Sequence, residues 1–84
     1  MKRFVRTEND RFFKVEGLMM VSQIQERYPT EWTVNTKVDE EGKPLPIFFF
    51  DMLYDNDKHI YPEYEDIEEA EQDRRSLLYE LNAD

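Results

Sequence analysis

A helical pattern of apolar residues runs through the C-terminal segment from Tyr61 to Leu81, YPEYEDIEEAEQDRRSLLYEL. Residues that can face a core recur there at intervals of three and four, which places them on one side of an α-helix. They are Ile67, Ala70, Arg74, Leu77, Leu78 and Leu81. Pro62 suits the entry to this helix, because its fixed φ and missing N–H cost nothing there. The segment therefore predicts a long acidic helix.

Charges along this predicted helix follow the order that the helix dipole favours. Glu65, Asp66, Glu68 and Glu69 come first, and Arg74 and Arg75 lie nearer the end. We expect Arg74 to lay its stem along the edge of the core and to pair its guanidinium with an acidic neighbour such as Glu71.

The N-terminal part of the chain predicts a β-hairpin. Lys2–Thr7 alternates charged and apolar residues, and Arg11–Val15 is rich in aromatic and β-branched residues. Glu8, Asn9 and Asp10 form a polar connection of hairpin length.

The next segment, Leu18–Tyr28, predicts a short helix between Gly17 and Pro29. Its apolar residues again fall at three- and four-residue spacing, and the proline would end the helix. These residues are Leu18, Val21, Ile24 and Tyr28.

Two strands with a turn between them are predicted further along the chain. Trp32–Val38 alternates, Asp39–Pro44 contains the Gly and Pro of a turn, and Leu45–Tyr54 is an almost continuous apolar run. Such a run suits a strand that is covered on both faces, or on one face by a partner. His59–Tyr61 would add a brief third strand. The sequence thus predicts an α+β fold: a small antiparallel sheet of two hairpins, with a short middle helix and a longer acidic C-terminal helix packed on one face.

Composition predicts one small folded domain spanning residues 1–84. Hydrophobic residues make up 39% of the chain, which is too much apolar material for a disordered one. The lack of cysteine excludes disulfides and thiol chemistry. No apolar run is long enough to cross a membrane, and no signal peptide is recognisable, so we expect a cytoplasmic protein.

The net charge of −9 is concentrated in the second half of the chain. Residues 1–37 are close to neutral, with seven Lys or Arg against five Asp or Glu, whereas residues 38–84 have four against fifteen. A field of this sign repels nucleic acid and anionic membranes and favours encounter with basic surfaces. We expect neither nucleic acid nor membrane to bind directly.

Candidate catalytic and metal-binding residues are few. Ser22 and Ser76 lie inside predicted helices, and the chain has no Gly-rich phosphate loop. Asp55, Asp57 and His59 superficially resemble a calcium loop, but Ile60 and Asp66 stand where that loop requires Gly and Glu. We therefore predict a non-enzymatic protein with no catalytic residues, metal or cofactor. Phe48, Phe49 and Phe50 are interpreted as core residues.

A cluster of carboxylates is the strongest candidate for a functional site. The predicted partner-binding residues are Glu63, Glu65, Asp66, Glu68, Glu69, Glu71 and Asp73, with Asp55 and Asp57 as an outer patch. Like charges at helical spacing repel by a few tenths of a kcal/mol per pair, which favours a role beyond solubility.

The favoured function is that of a small acidic inhibitor, which occupies the basic, nucleic-acid-binding surface of a host protein by charge mimicry. In charge, size and lack of cysteine the chain is similar to small acidic inhibitors that bacteriophages and other mobile elements direct against polymerases, restriction systems or CRISPR effectors. The alternative is an interaction module that binds a partner, or a second copy as a homodimer, through the strand Leu45–Tyr54 used as a sheet edge.

Overall fold

A computed structural model describes residues 4–29 and 37–82, in which eight short strands precede one helix. The elements are β1 (Phe4–Arg6), β2 (Phe12–Lys14), β3 (Leu18–Val21), β4 (Gln25–Arg27), β5 (Ile47–Phe49), β6 (Met52–Tyr54), β7 (His59–Ile60), β8 (Glu63–Tyr64) and α1 (Ile67–Asn82). The strands form three antiparallel sheets, with orders β1-β2, β3-β6-β7 and β4-β5-β8. The predicted α+β class is confirmed.

The predicted N-terminal hairpin is present as β1 and β2, with Val5 opposite Phe13. The Thr7 amide donates to the Arg11 carbonyl at 2.8 Å and closes the turn. Asp10 takes the left-handed conformation, with φ of 59°, which Asp tolerates better than most residues.

The prediction of a middle helix over 18–28 is wrong, because this segment forms β3 and β4. A β-bulge between Leu18 and Met20 adds one residue to β3, so Leu18 and Val21 both face the core although they are three residues apart. That spacing imitates a helical period. β3 pairs with β6, and β4 pairs with β5. The segment that contains β3 and β4 therefore runs antiparallel to the segment that contains β5 and β6, and together they form one ribbon.

The second predicted hairpin, Trp32–Val38 with Leu45–Tyr54, is confirmed only at its turn. There Val38 bridges Pro44, and the Leu45 amide donates to the Lys37 carbonyl at 3.0 Å. The remainder of its first strand, 32–36, lies outside the described residues. The predicted strand Leu45–Tyr54 is divided into β5 and β6, each the central strand of its sheet. Each is flanked by a strand on both sides, so β5 and β6 do not offer the free sheet edge that was expected of this run.

The C-terminal helix is confirmed but begins at Ile67 and not at Pro62. Pro62 is buried and leads into β8, which pairs with β5. Asp66 caps the helix, because its carboxylate accepts the Glu68 amide at 2.9 Å. The brief strand predicted at His59–Tyr61 is present as β7.

The core lies between α1 and the strands. Its buried residues are Phe13, Val15, Leu18, Val21, Phe50, Met52, Tyr54, Tyr64, Ala70 and Leu77. Phe50 belongs to this cluster and Phe48 packs against it, in agreement with their interpretation as core residues, whereas Phe49, interpreted in the same way, does not belong to it. Arg74 lies at the core edge, where its Nε–H donates to the Ser22 carbonyl at 2.6 Å. No helix within the described ranges is long and apolar enough to cross a membrane.

Candidate functional site

An open groove of about 380 Å³ lies between β8 and the first turns of α1. It is lined by Arg11, Ile47, Glu63, Tyr64, Glu65 and Glu69. The groove brings together three carboxylates of the predicted partner-binding set that are separated along the chain by up to six residues.

The local backbone explains why the carboxylates face outward. Along 61–64 exposed and buried residues alternate, so Tyr61 and Glu63 point away from the core while Pro62 and Tyr64 point into it. The helix then begins after Asp66, and its first turn presents Glu69 to the same groove.

Two of the groove carboxylates already have cationic partners. Glu63 forms an ion pair with Arg27 of β4, and Glu65 accepts a hydrogen bond from the Lys37 ammonium at 2.6 Å. The exposed fractions of these four side chains lie between 48 and 70%. Exposed pairs of this kind contribute little to stability.

Glu68, Glu69 and Glu71 are exposed, and none of these side chains forms an ion pair within the described part of the chain. Glu68 and Glu71 are three residues apart and so lie on one side of the helix. Asp66 is also exposed, although its carboxylate is engaged as the helix cap. These residues form the unneutralised part of the predicted acidic surface.

Asp73 does not belong to the acidic surface as predicted, because its side chain is fully buried. Its carboxylate accepts a hydrogen bond from the Tyr64 hydroxyl at 2.6 Å and another from the side-chain amide of Asn9 at 2.9 Å. Burial raises the pKa of the Tyr64 hydroxyl, and the hydrogen bond and negative charge of Asp73 raise it further. Asp73 therefore joins the helix to β8 and the N-terminal hairpin, and a partner cannot reach it.

Asp55 and Asp57 lie in the turn between β6 and β7, in a different hairpin from the groove. Both are exposed, and Asp57 has a positive φ of 65°. The Asp55 amide donates to the Gly17 carbonyl at 2.8 Å, which ties this turn to the start of β3. The groove does not include either residue.

Arg11 is a residue of the groove that the sequence did not indicate. Its guanidinium donates to the Glu63 carbonyl at 2.8 Å and lies 3.9 Å from the centroid of the Tyr64 ring. Arg11 belongs to the N-terminal hairpin, 52 residues away from Glu63. No local pattern could have linked them.

Other polar groups are engaged in structural contacts. His59 Nδ1 lies 2.8 Å from Asp51 Oδ1, and the Ser22 and Ser76 hydroxyls donate to main-chain carbonyls. Among residues 4–29 and 37–82, no group of three or more His, Asp or Glu side chains is arranged to hold a metal ion. The groove places three carboxylates beside the apolar side chain of Ile47.

Comparisons with protein families, curated proteins and solved structures found no match to this chain.

Proposed function

We propose that this protein binds a basic, nucleic-acid-binding surface of another protein through the carboxylates of α1 and the adjoining groove. The observation that carries the proposal is the exposure of Glu68, Glu69 and Glu71 without cationic partners among the described residues. Such a surface attracts the lysines and arginines that otherwise contact phosphates.

The helix dipole explains only part of this charge. Glu68 and Glu69 lie in the first turn, where a carboxylate stabilises a helix by about 0.3–1 kcal/mol. Glu71 lies beyond that turn, where the dipole no longer favours a carboxylate strongly. The charge therefore exceeds what the helix needs, and the net charge of −9 would steer the whole molecule toward a positive partner.

A charge-reversal experiment tests the proposal. The protein is immobilised, exposed to nuclease-treated bacterial lysate and eluted with a salt gradient, and retained proteins are identified by mass spectrometry. The triple variant Glu68→Lys, Glu69→Lys and Glu71→Lys should lose a partner that elutes at moderate salt, since screening weakens contacts between exposed charges. A triple Glu→Gln variant at the same positions, with a smaller effect on the helix, should weaken retention less.

The matched control is the triple variant Glu8→Lys, Glu40→Lys and Glu41→Lys. These glutamates are exposed, lie outside the groove and give the same change in net charge. The control should retain the partner, and the recovered protein should lose nucleic-acid binding when this protein is added. Equal loss of the partner in both triple variants, or a partner whose nucleic-acid binding is unaffected, would contradict the proposal. Circular dichroism establishes that each variant is folded.

A further inference from the structure

One face of the sheet β4-β5-β8 points away from the helix. Phe49 lies opposite Gln25 on one side and Glu63 on the other, so these three residues share a face. Phe48 and Tyr64, the next pair in the register, lie on the opposite face, where the Tyr64 hydroxyl bonds to the helix. The Phe49 face is therefore the outer one, and Ile47, two residues from Phe49, shares it.

Aromatic rings extend this outer face beyond the sheet. Tyr61 is 53% exposed, and the centroid of its ring lies 6.4 Å from that of the Phe49 ring, at an interplanar angle of 67°. Its plane is nearly parallel to that of His59, with the ring centroids 6.0 Å apart. A carboxylate lies beside these rings, because Glu63, two residues after Tyr61, is paired with Phe49 and also lines the groove. We call Ile47, Phe49, Tyr61 and Glu63 the aromatic face.

Two arginines of this chain already lie against aromatic rings close to Glu63. The Arg27 guanidinium lies 6.0 Å from the Phe49 centroid while it pairs with Glu63. At the inner side, the Arg11 guanidinium lies over the Tyr64 ring and donates to the main-chain carbonyl of Glu63. A planar guanidinium can stack on a ring and hydrogen-bond a carboxylate at once, whereas an ammonium cannot do both with the same geometry.

We infer that the aromatic face is a docking surface for arginine side chains of the basic partner, an inference that rests on the proposed function and specifies it. The helix carboxylates supply the long-range attraction, and the exposed Tyr61 ring selects arginine over lysine. The exposed Tyr61 side chain, the example of Arg27 beside Phe49 and Glu63, and the negative charge of the exposed α1 carboxylates support arginine as the occupant.

Labelled oligo-arginine and oligo-lysine peptides of equal length test this inference by fluorescence anisotropy at low ionic strength. The wild-type protein should bind the arginine peptide about two- to five-fold more tightly, the range expected for one exposed cation–π contact. Tyr61→Ala should abolish this preference by weakening the arginine complex more than the lysine complex. Tyr61→Phe should keep it, because the ring and not the hydroxyl makes the contact.

Tyr79→Ala is the matched control, since Tyr79 is 74% exposed on α1 and lies outside the aromatic face. It should leave both affinities unchanged. The Glu68, Glu69 and Glu71 triple Gln variant should weaken both peptides equally and preserve their ratio. Equal affinity of the wild-type protein for both peptides would overturn the aromatic inference alone, whereas an undiminished affinity of the triple variant would count against the acidic surface of the proposed function. Absence of binding to either peptide would overturn both.

Discussion

The Tyr64 hydroxyl donates a hydrogen bond of 2.6 Å to the carboxylate of Asp73, and both side chains are almost completely buried. The side-chain amide of Asn9 donates a hydrogen bond of 2.9 Å to the other oxygen of this carboxylate. A buried carboxylate requires such partners, because removing a charge from water without compensation is strongly unfavourable. Three separate parts of the chain, the N-terminal turn, β8 and α1, are thereby held in register by polar contacts.

Tyr64→Phe should lower the free energy of unfolding by about 1.5–3 kcal/mol, the range for a hydrogen bond to a charged group. The ring would still stack on Phe50, whose centroid is 5.8 Å away, so the loss is that of the hydroxyl alone. Urea unfolding followed by circular dichroism measures the change. Tyr79→Phe removes an exposed hydroxyl and should stay within about 0.5 kcal/mol of the wild type. A Tyr64→Phe variant as stable as this control would show that the contact does not stabilise the fold.

Stability should fall as pH rises above about 10, because the pKa of Tyr64 is raised in the folded protein above its ordinary value of 10.0. Below that pH the hydroxyl is protonated in both states. Above it the unfolded chain releases the proton while the folded chain retains it, so unfolding is favoured by up to about 1.4 kcal/mol per pH unit. Burial also raises the pKa of Tyr54, which adds to the effect. Urea unfolding at a series of pH values should show a shallower decline for Tyr64→Phe than for the wild type, and parallel declines would contradict the assignment.

Asp66→Ala should destabilise the protein by about 1 kcal/mol, because it removes the cap of α1. For a domain of this size that corresponds to a fall of about 4–8 °C in Tm. Asp66→Asn should retain most of the stability, since an amide oxygen also accepts the Glu68 N–H. Thermal unfolding by circular dichroism distinguishes the two variants. Equal losses would mean that the negative charge of Asp66, and not its hydrogen bond, stabilises the helix.

Gly17→Ala should be more destabilising than Gly42→Ala. Both glycines have φ of +81°, where an L-residue is disfavoured by about 1–2 kcal/mol. At Gly17 an added Cβ would also lie 2.9 Å from the Asp55 carboxylate, whereas at Gly42 it would meet nothing within 4 Å. Denaturant unfolding of both variants measures the difference. The double variant Gly17→Ala with Asp55→Ala should regain the part of the stability that the contact with the Asp55 carboxylate removes. If it regains none, the whole loss is due to the backbone conformation at Gly17.

Several local features could be predicted because each depends on residues close together in the chain. The N-terminal hairpin follows from alternation around a polar turn, and Gly42 marks the turn that Val38 and Pro44 close. The C-terminal helix follows from periodicity over many residues. Its start could not be placed, because Pro62 suits a helix entry as well as the extended segment before β8.

The middle segment shows where local patterns fail. Leu18 and Val21 have the spacing of a helix, yet their partners, Tyr54 and Met52, lie more than thirty residues away. A bulge in a strand and a turn of helix bury residues at the same interval, so only the pairing distinguishes them. The pairing also removes the free edge that the Leu45–Tyr54 run was expected to offer.

The sequence by itself determined the charge of the protein, the uneven distribution of that charge along the chain and the helix that displays part of it, because these depend on composition and short-range periodicity. Only the tertiary structure decided which carboxylates reach solvent. It buried Asp73 against Tyr64, paired Glu63 with Arg27 and left Glu68, Glu69 and Glu71 exposed. The reason is that burial and ion pairing depend on contacts between distant segments, and a pattern of neighbouring residues does not encode them.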